Sequence, residues 1–191
     1  MIISSDLNWE HHVISATSKA NRALGTIKHA FRYLDNYTFN LLYKSLVRPH
    51  LEYAARVWSP YWAKDKNRLE SVQRRATKIV SLRGLNYDQR RMALGLPTLE
   101  ERRRRGDLIE MYKITNSENY INLEEPLSFF DNMSRGRHNK RLHRSLDKKT
   151  CRHNFLTNRV VNDWNALSQD AIDSKNKNIF KNKIDKILNL N

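Results

Sequence analysis

The sequence predicts a mainly α protein: a helical bundle followed by a smaller helical region, with a short strand remnant at the N-terminus. Three observations predict it. Apolar residues recur at spacings of three and four over several stretches, the period of a half-buried helix. Only five Gly and four Pro occur in 191 residues, too few for a turn-rich β fold. Leu, Lys, Arg and Asn dominate the composition, which suits helices joined by polar loops.

Residues 1–9 are β-like, with Ile2-Ile3 ahead of Ser4-Ser5-Asp6. They read as the end of a strand whose partners lie outside the chain, anchored by Trp9. Residues 10–84 form the bundle. Its first helix covers 11–34, because Val13, Ala16, Ala20, Leu24, Ile27, Phe31 and Leu34 fall on one stripe. Thr38 is placed to cap the second helix, which buries Phe39, Leu42, Tyr43, Leu46 and Val47 until Pro49 ends or kinks it. Leu51, Ala54, Ala55 and Trp58 continue at helical spacing, and an aromatic turn runs from Trp58 to Trp62. The helix expected over 64–82 turns Leu69, Val72, Ala76 and Ile79 inward and ends near Gly84. It leaves Arg68, Arg74, Arg75 and Lys78 for solvent or phosphate.

Residues 85–116 make a basic helical region. A short helix over 88–94 closes at Gly95 and Pro97. Thr98 and Glu101 then fit a capping box, each satisfying the other's free backbone N–H. The helix that follows opens with Arg102, Arg103, Arg104 and Arg105. Residues 117–153 read as an acidic linker and then a basic loop, extended or disordered without a ligand. Residues 154–191 carry the last helices, around Phe155, Val160, Trp164 and Leu167, and around Ile179, Phe180, Ile184, Ile187 and Leu188.

The net charge is +15. It is concentrated: residues 64–105 hold 13 Lys/Arg against 5 Asp/Glu, and residues 135–159 hold 9 against 1. The stretch between them, 106–134, has 1 against 6. Two basic blocks separated by an acidic one point to two contact surfaces for a polyanion, nucleic acid above all. No apolar run approaches the length that crosses a bilayer, so no membrane partner is expected. The single Cys151 excludes an internal disulfide and fits a reducing, intracellular setting.

The chemistry of catalysis is not evident. Nucleotidyl transfer on two metal ions needs clustered carboxylates, and no Asp-Asp pair occurs. Glu100-Glu101 is explained by capping, and Glu124-Glu125 precedes Pro126 in a loop. A Gly-rich phosphate loop, a G-x-S-x-G elbow and an H-E-x-x-H helix are all lacking. His11-His12 point to different sides of a helix, and His143, Cys151 and His153 sit in a strongly basic stretch that disfavours zinc. They read as polar or phosphate-contacting residues. Neither a catalytic residue, nor a metal ligand, nor a cofactor is expected within this chain.

Ordered motifs run along nearly the whole sequence: Lys19-Ala-Asn-Arg-Ala-Leu-Gly25, Leu42-Tyr-Lys-Ser-Leu-Val-Arg-Pro49, Leu51-Glu-Tyr53, Leu69-Glu-Ser-Val-Gln-Arg-Arg-Ala76, Leu94-Gly-Leu-Pro-Thr-Leu-Glu100, Arg159-Val-Val161 and Trp164-Asn165. Together they resemble the region just after the polymerase palm in jockey-like non-LTR retrotransposon reverse transcriptases. One departure is Leu167-Ser168, where that family often has Leu-Pro. The resemblance implies that fingers, palm and catalytic aspartates, with their Mg2+, lie upstream of Met1. It implies that residues 10–82 are a thumb gripping template–primer duplex and that 86–191 face RNA. It also implies nuclear or nucleocytoplasmic residence.

The expected partners are therefore RNA, an RNA–DNA hybrid or template–primer duplex, and the parent polymerase's palm. The expected contacts are phosphate contacts, independent of base sequence. They come from Arg68, Arg74, Arg75 and Lys78, from Arg102 to Arg105, and from Arg135, Arg137, Lys140, Arg141 and Arg144. Trp58, Tyr61 and Trp62 are candidates to stack on bases. The alternative is a basic helical module that docks on an acidic protein partner.

Overall fold

The computed structural model describes residues 1–80, 82, 84–116, 127–130, 137–145 and 149–190. The protein is mainly helical and divides into two units, Met1–Arg102 and Arg103–Asn191.

In the first unit, helix α1 (Glu10–Ala30) buries Val13, Ala16, Thr17, Ala20, Leu24 and Ile27, the stripe its sequence spacing predicts. It ends before Phe31, which has turned extended and is exposed. Helix α2 (Asn36–Leu42) is capped by Asp35, whose carboxylate accepts the Thr38 backbone N–H at 2.7 Å, so Asp35 takes the role expected of Thr38.

A π-helical turn (Tyr43–Val47) joins α2 directly to α3 (Arg48–Glu52). Phe39, Tyr43, Val47 and Leu51 recur every four residues and are all buried. A repeat of four drifts around an α-helix of about 3.6 residues per turn. The wider π turn takes up that drift and accommodates the N–H missing from Pro49. Hence Pro49 neither ends nor breaks the helix. Leu46, expected to be buried, is exposed by the same change of register.

The chain leaves helical geometry after Glu52. Ala54 has a φ of 53°, and turns lead to Trp58. Trp58 is buried anyway and donates its indole N–H to the Tyr53 carbonyl at 2.7 Å. Helix α4 (Ala63–Ala76) stops six residues earlier than expected, ending in turns rather than running to 82. Helix α5 (Tyr87–Ala93) opens with a capping box of Asn86 and Gln89 and closes at Gly95, whose φ of 60° suits glycine. Helix α6 (Leu99–Thr115) opens with the expected box: Thr98 Oγ1 accepts the Glu101 N–H at 3.1 Å, and Glu101 accepts the Thr98 N–H at 2.8 Å.

One core joins these elements, and Leu94, Leu96 and Leu99 belong to it. The boundary expected after Gly84 therefore falls inside this unit, and the division lies instead within α6. The strand remnant is corrected too. Residues 1–9 hold turns and irregular backbone, because a strand needs a partner for its ladder and the described residues offer none.

In the second unit, the first core residues come from α6: Leu108, Ile109, Met111 and Tyr112. The chain then forms α7 (Thr150–His153), which buries no residue, α8 (Leu156–Arg159), α9 (Val161–Asn165), α10 (Gln169–Ile172) and α11 (Lys177–Ile187), and the last three pack on that core. The single helix expected over 154–167 is thus divided in two. Ser168 caps α10, its Oγ accepting the Ala171 N–H at 3.3 Å. That is a local reason for serine at the position of departure from the Leu-Pro pattern.

The basic stretch 137–145 is extended and ordered against the helices. Asn165 pairs both ways with Leu142, accepting its N–H and donating to its carbonyl, each at 2.9 Å. Asn158 accepts the Ser145 N–H at 3.0 Å, and Trp164 donates to the Lys140 carbonyl at 2.7 Å. Leu142 is buried beneath these bonds. The acidic linker at 117–126 and 131–134, and Arg135, lie outside the described residues.

Candidate nucleic-acid interface

The apolar stripe of α4 decides which of its cations face water. Leu69, Val72, Gln73 and Ala76 are buried. At about 100° per residue, Arg68 and Arg75 fall together on one flank of that stripe and Arg74 nearly opposite it, with Lys78 in the turn beyond. All four are exposed, and among the described residues none pairs with a carboxylate. Arg68 and Arg75 lie about 10 Å apart along the axis on nearly the same line. The Arg74 guanidinium sits 5.0 Å from the Tyr87 ring centroid, and Arg75 donates a long 3.5 Å bond to Ser71 Oγ. Neighbouring cations differ. Lys64 pairs with Glu10 at 2.9 Å, Lys66 with Glu100 at 2.7 Å and Arg91 with Asp88 at 2.9 Å.

Beneath this face lies a polar network that sequence reasoning missed. Tyr43 donates to Gln73 Oε1 at 2.7 Å. The Gln73 amide nitrogen reaches the Pro97 carbonyl at 3.0 Å, Tyr87 Oη at 3.1 Å and Glu70 Oε1 at 3.2 Å. Tyr87 donates to Glu70, whose other oxygen accepts the Leu99 N–H at 2.9 Å. Burial pushes the Tyr43 hydroxyl above its ordinary range. Burial and then the Glu70 carboxylate do the same for Tyr87. Both remain proton donors. Two motifs of the sequence, Tyr43 to Pro49 and Leu69 to Ala76, thus meet at Gln73. The second motif divides its labour: Glu70 and Gln73 hold the fold, while Arg74 and Arg75 point outward. Asp65 is also buried, which raises its carboxyl pKa, and among the described residues its Oδ2 has no hydrogen-bond partner.

The four-arginine run behaves differently from α4. Arg102 forms a two-pronged ion pair with Glu52, one prong at 3.0 Å. Arg104 grips Asp163 at 2.7 and 2.6 Å. Arg105 grips Asp185, one prong at 2.8 Å, and Arg103 is buried. Consecutive helical residues diverge by about 100°. The run therefore fans out to different elements and serves the fold, not one groove.

In the second unit the exposed Arg137 donates to the Ala166 carbonyl at 2.9 Å, and Lys140 donates to Asn116 at 2.8 Å. Arg144 donates to His153 Nε2 at 2.6 Å, and Arg141 lies 4.9 Å from the Phe130 ring centroid. The contacts of Arg137 and Lys140 are to a backbone carbonyl and a side-chain amide, which carry no charge. Of the aromatic candidates, Trp58 is core and is corrected as a stacking residue, while Trp62 is half exposed beside Tyr61. His12 faces inward, its ring edge-on to Trp58 at 4.4 Å. Among the described residues no group of His, Cys, Asp or Glu is placed to hold a metal ion, and no helix is long and apolar enough to cross a membrane. No protein-family model, curated protein or solved structure matches this chain.

Proposed function

We propose that this chain is a non-catalytic nucleic-acid-binding segment of a jockey-like non-LTR retrotransposon RNA-directed DNA polymerase. It holds template–primer duplex or RNA through phosphate contacts, next to a palm that supplies the Mg2+ chemistry, and it works in the nucleus or between nucleus and cytoplasm. One observation carries the reading. The outward face of α4 keeps Arg68, Arg74, Arg75 and Lys78 exposed and without carboxylate partners, while nearby Lys64, Lys66 and Arg91 are neutralised. Exposed cations held on and just beyond a rigid helix, none in a carboxylate ion pair among the described residues, suit a regular polyanion. The interlocking of the Tyr43 and Gln73 motifs supports the family reading, because it gives their joint occurrence a structural reason.

The phosphate contacts narrow to α4 in the first unit and to Arg137, Lys140, Arg141 and Arg144 in the second. The experiment is binding of the purified chain to an RNA–DNA hybrid, an RNA hairpin and a single strand across a salt series. Steeply salt-dependent binding, weakened by Arg74→Glu with Arg75→Glu, supports the reading. No binding to any of the three at low salt overturns it and leaves an acidic protein partner as the better account.

A further inference from the structure

Residues 127–130 and 141–145 build a feature that phosphate contact alone does not explain. They form a short antiparallel ribbon: Phe129 bridges Leu142, Phe130 N–H bonds to the Arg141 carbonyl at 3.1 Å, and His143 N–H bonds to the Ser128 carbonyl at 2.9 Å. Side chains alternate across a ribbon. Leu142 is buried in the core, so Phe130, Arg141 and His143 share the other face. There the His143 ring stacks on Phe130 at 3.6 Å between centroids, tilted by 34°, and Arg141 lies against the same ring. Phe130 is 40% exposed and His143 is exposed. A phenyl and a histidine ring standing together at the surface, with guanidinium groups beside them, offer a flat face bordered by positive charge.

Beside the ribbon opens a cleft of about 370 Å³. Its lining includes Ser128, Ser145 and Thr157 hydroxyls, His143, Arg144 and Arg152. Arg144 is held toward His153, which fixes a guanidinium at the rim. Hydroxyl-bearing side chains and guanidinium groups around an open cleft of this size can receive a phosphate together with its sugar. The stacking face and the cleft share His143, so they adjoin.

We infer that this ribbon and cleft form a binding site for single-stranded nucleic acid. A base stacks on the Phe130–His143 pair, and the adjoining phosphate enters the Ser128–Arg144–Thr157 cleft. The inference rests on the nucleic-acid reading above and adds to it a division of ligands. The α4 face takes duplex by charge. The ribbon takes unpaired bases, whose faces are open to aromatic and arginine stacking.

The test uses the full chain with three probes: an octanucleotide of adenylate RNA, an RNA–DNA hybrid and adenosine monophosphate. Histidine-ring NMR signals of the unaltered protein are followed first. Titration with the octanucleotide should shift the His143 ring resonances upfield, as a stacked base requires, with the fold intact. In fluorescence-anisotropy binding, Phe130→Leu should weaken the octanucleotide by roughly tenfold. Phe130→Trp should restore it, and both variants should leave hybrid affinity unchanged. Octanucleotide binding that is indifferent to Phe130→Leu, with no shift at His143, overturns the stacking site while the α4 reading stands. Equal affinity for adenosine monophosphate and the octanucleotide overturns the strand as occupant in favour of a free nucleotide. Loss of hybrid binding through Arg74→Glu with Arg75→Glu, while octanucleotide binding and the His143 shift persist, supports two separate surfaces.

Discussion

Replacing Arg68 and Arg75 together with alanine removes two of the four uncompensated cations on the α4 face, both from one line along the helix. Each phosphate neutralised by such a cation releases condensed counterions, so log K falls with log salt at a slope of about −0.9 per contact on a duplex. Four contacts give about −3.6, a loss of roughly 150-fold in affinity between ~50 and ~200 mM salt. Two contacts give about −1.8, a loss of roughly twelvefold over the same range. Other cations raise both slopes alike, so the quantity to read is their difference, about 1.8. The assay is anisotropy of a labelled RNA–DNA hybrid at five or so salt concentrations for both proteins. The control pair is Lys64→Ala with Lys66→Ala, whose ammonium groups already face Glu10 and Glu100. It should change the slope by well under half as much. Equal slopes for the unaltered protein and the Arg68/Arg75 variant would refute the assignment of phosphate contacts to α4. A control pair that matches the α4 pair would refute the argument from ion pairing.

Three further outcomes follow from the interior. Tyr43→Phe strands the buried Gln73 Oε1 and should cost about 1–3 kcal/mol in urea unfolding, with nucleic-acid affinity at low denaturant unchanged. Asp107→Ala leaves the half-buried Arg159 without its two-pronged carboxylate, both contacts at 2.7 Å, and should destabilise by roughly 3 kcal/mol in the same assay. A loss below about 0.5 kcal/mol would show that this pair behaves as an exposed one. His138 gives a pH dependence. Its Nε2–H donates to the Trp164 carbonyl at 2.9 Å while Nδ1 accepts the Lys140 N–H at 3.2 Å, an arrangement that only the neutral ring satisfies. Burial, with Arg141 nearby, holds its pKa below the ordinary 6.5, although the Trp164 bond and Asp173 oppose this. The folded state therefore binds fewer protons than the unfolded one. Its contribution is complete above about pH 6.5 and is lost as pH falls through the lower folded value. Unfolding free energy measured from about pH 7.5 to 5 should drop less in His138→Gln than in the unaltered protein; parallel curves would refute the assignment.

Local signals were legible where one short-range rule dominates. The 3.6-residue period placed α1 and its buried stripe, and Thr98 with Glu101 announced the start of α6 from side-chain chemistry three residues apart. Charge and apolar pattern together were enough to set Arg68, Arg74 and Arg75 on the outer face of α4, because a single helix settles both faces at once. What depended on distant partners was hidden. Arg74 and Arg104 are equally basic in sequence. Only the folded chain brings Asp163 to Arg104 and leaves Arg74 over Tyr87, and an ion pair formed 59 residues apart has no local signature. The same holds for the ribbon. Residues 137–145 have too few apolar side chains to order themselves, and Asn158 and Asn165 supply the missing backbone partners from helices further along the chain. The sequence by itself determined a helical, strongly cationic protein and the outward arginines of α4. Which cations the fold consumes, and where an aromatic face meets a guanidinium-rimmed cleft, depended on the tertiary structure, because pairing and stacking are properties of distance in space.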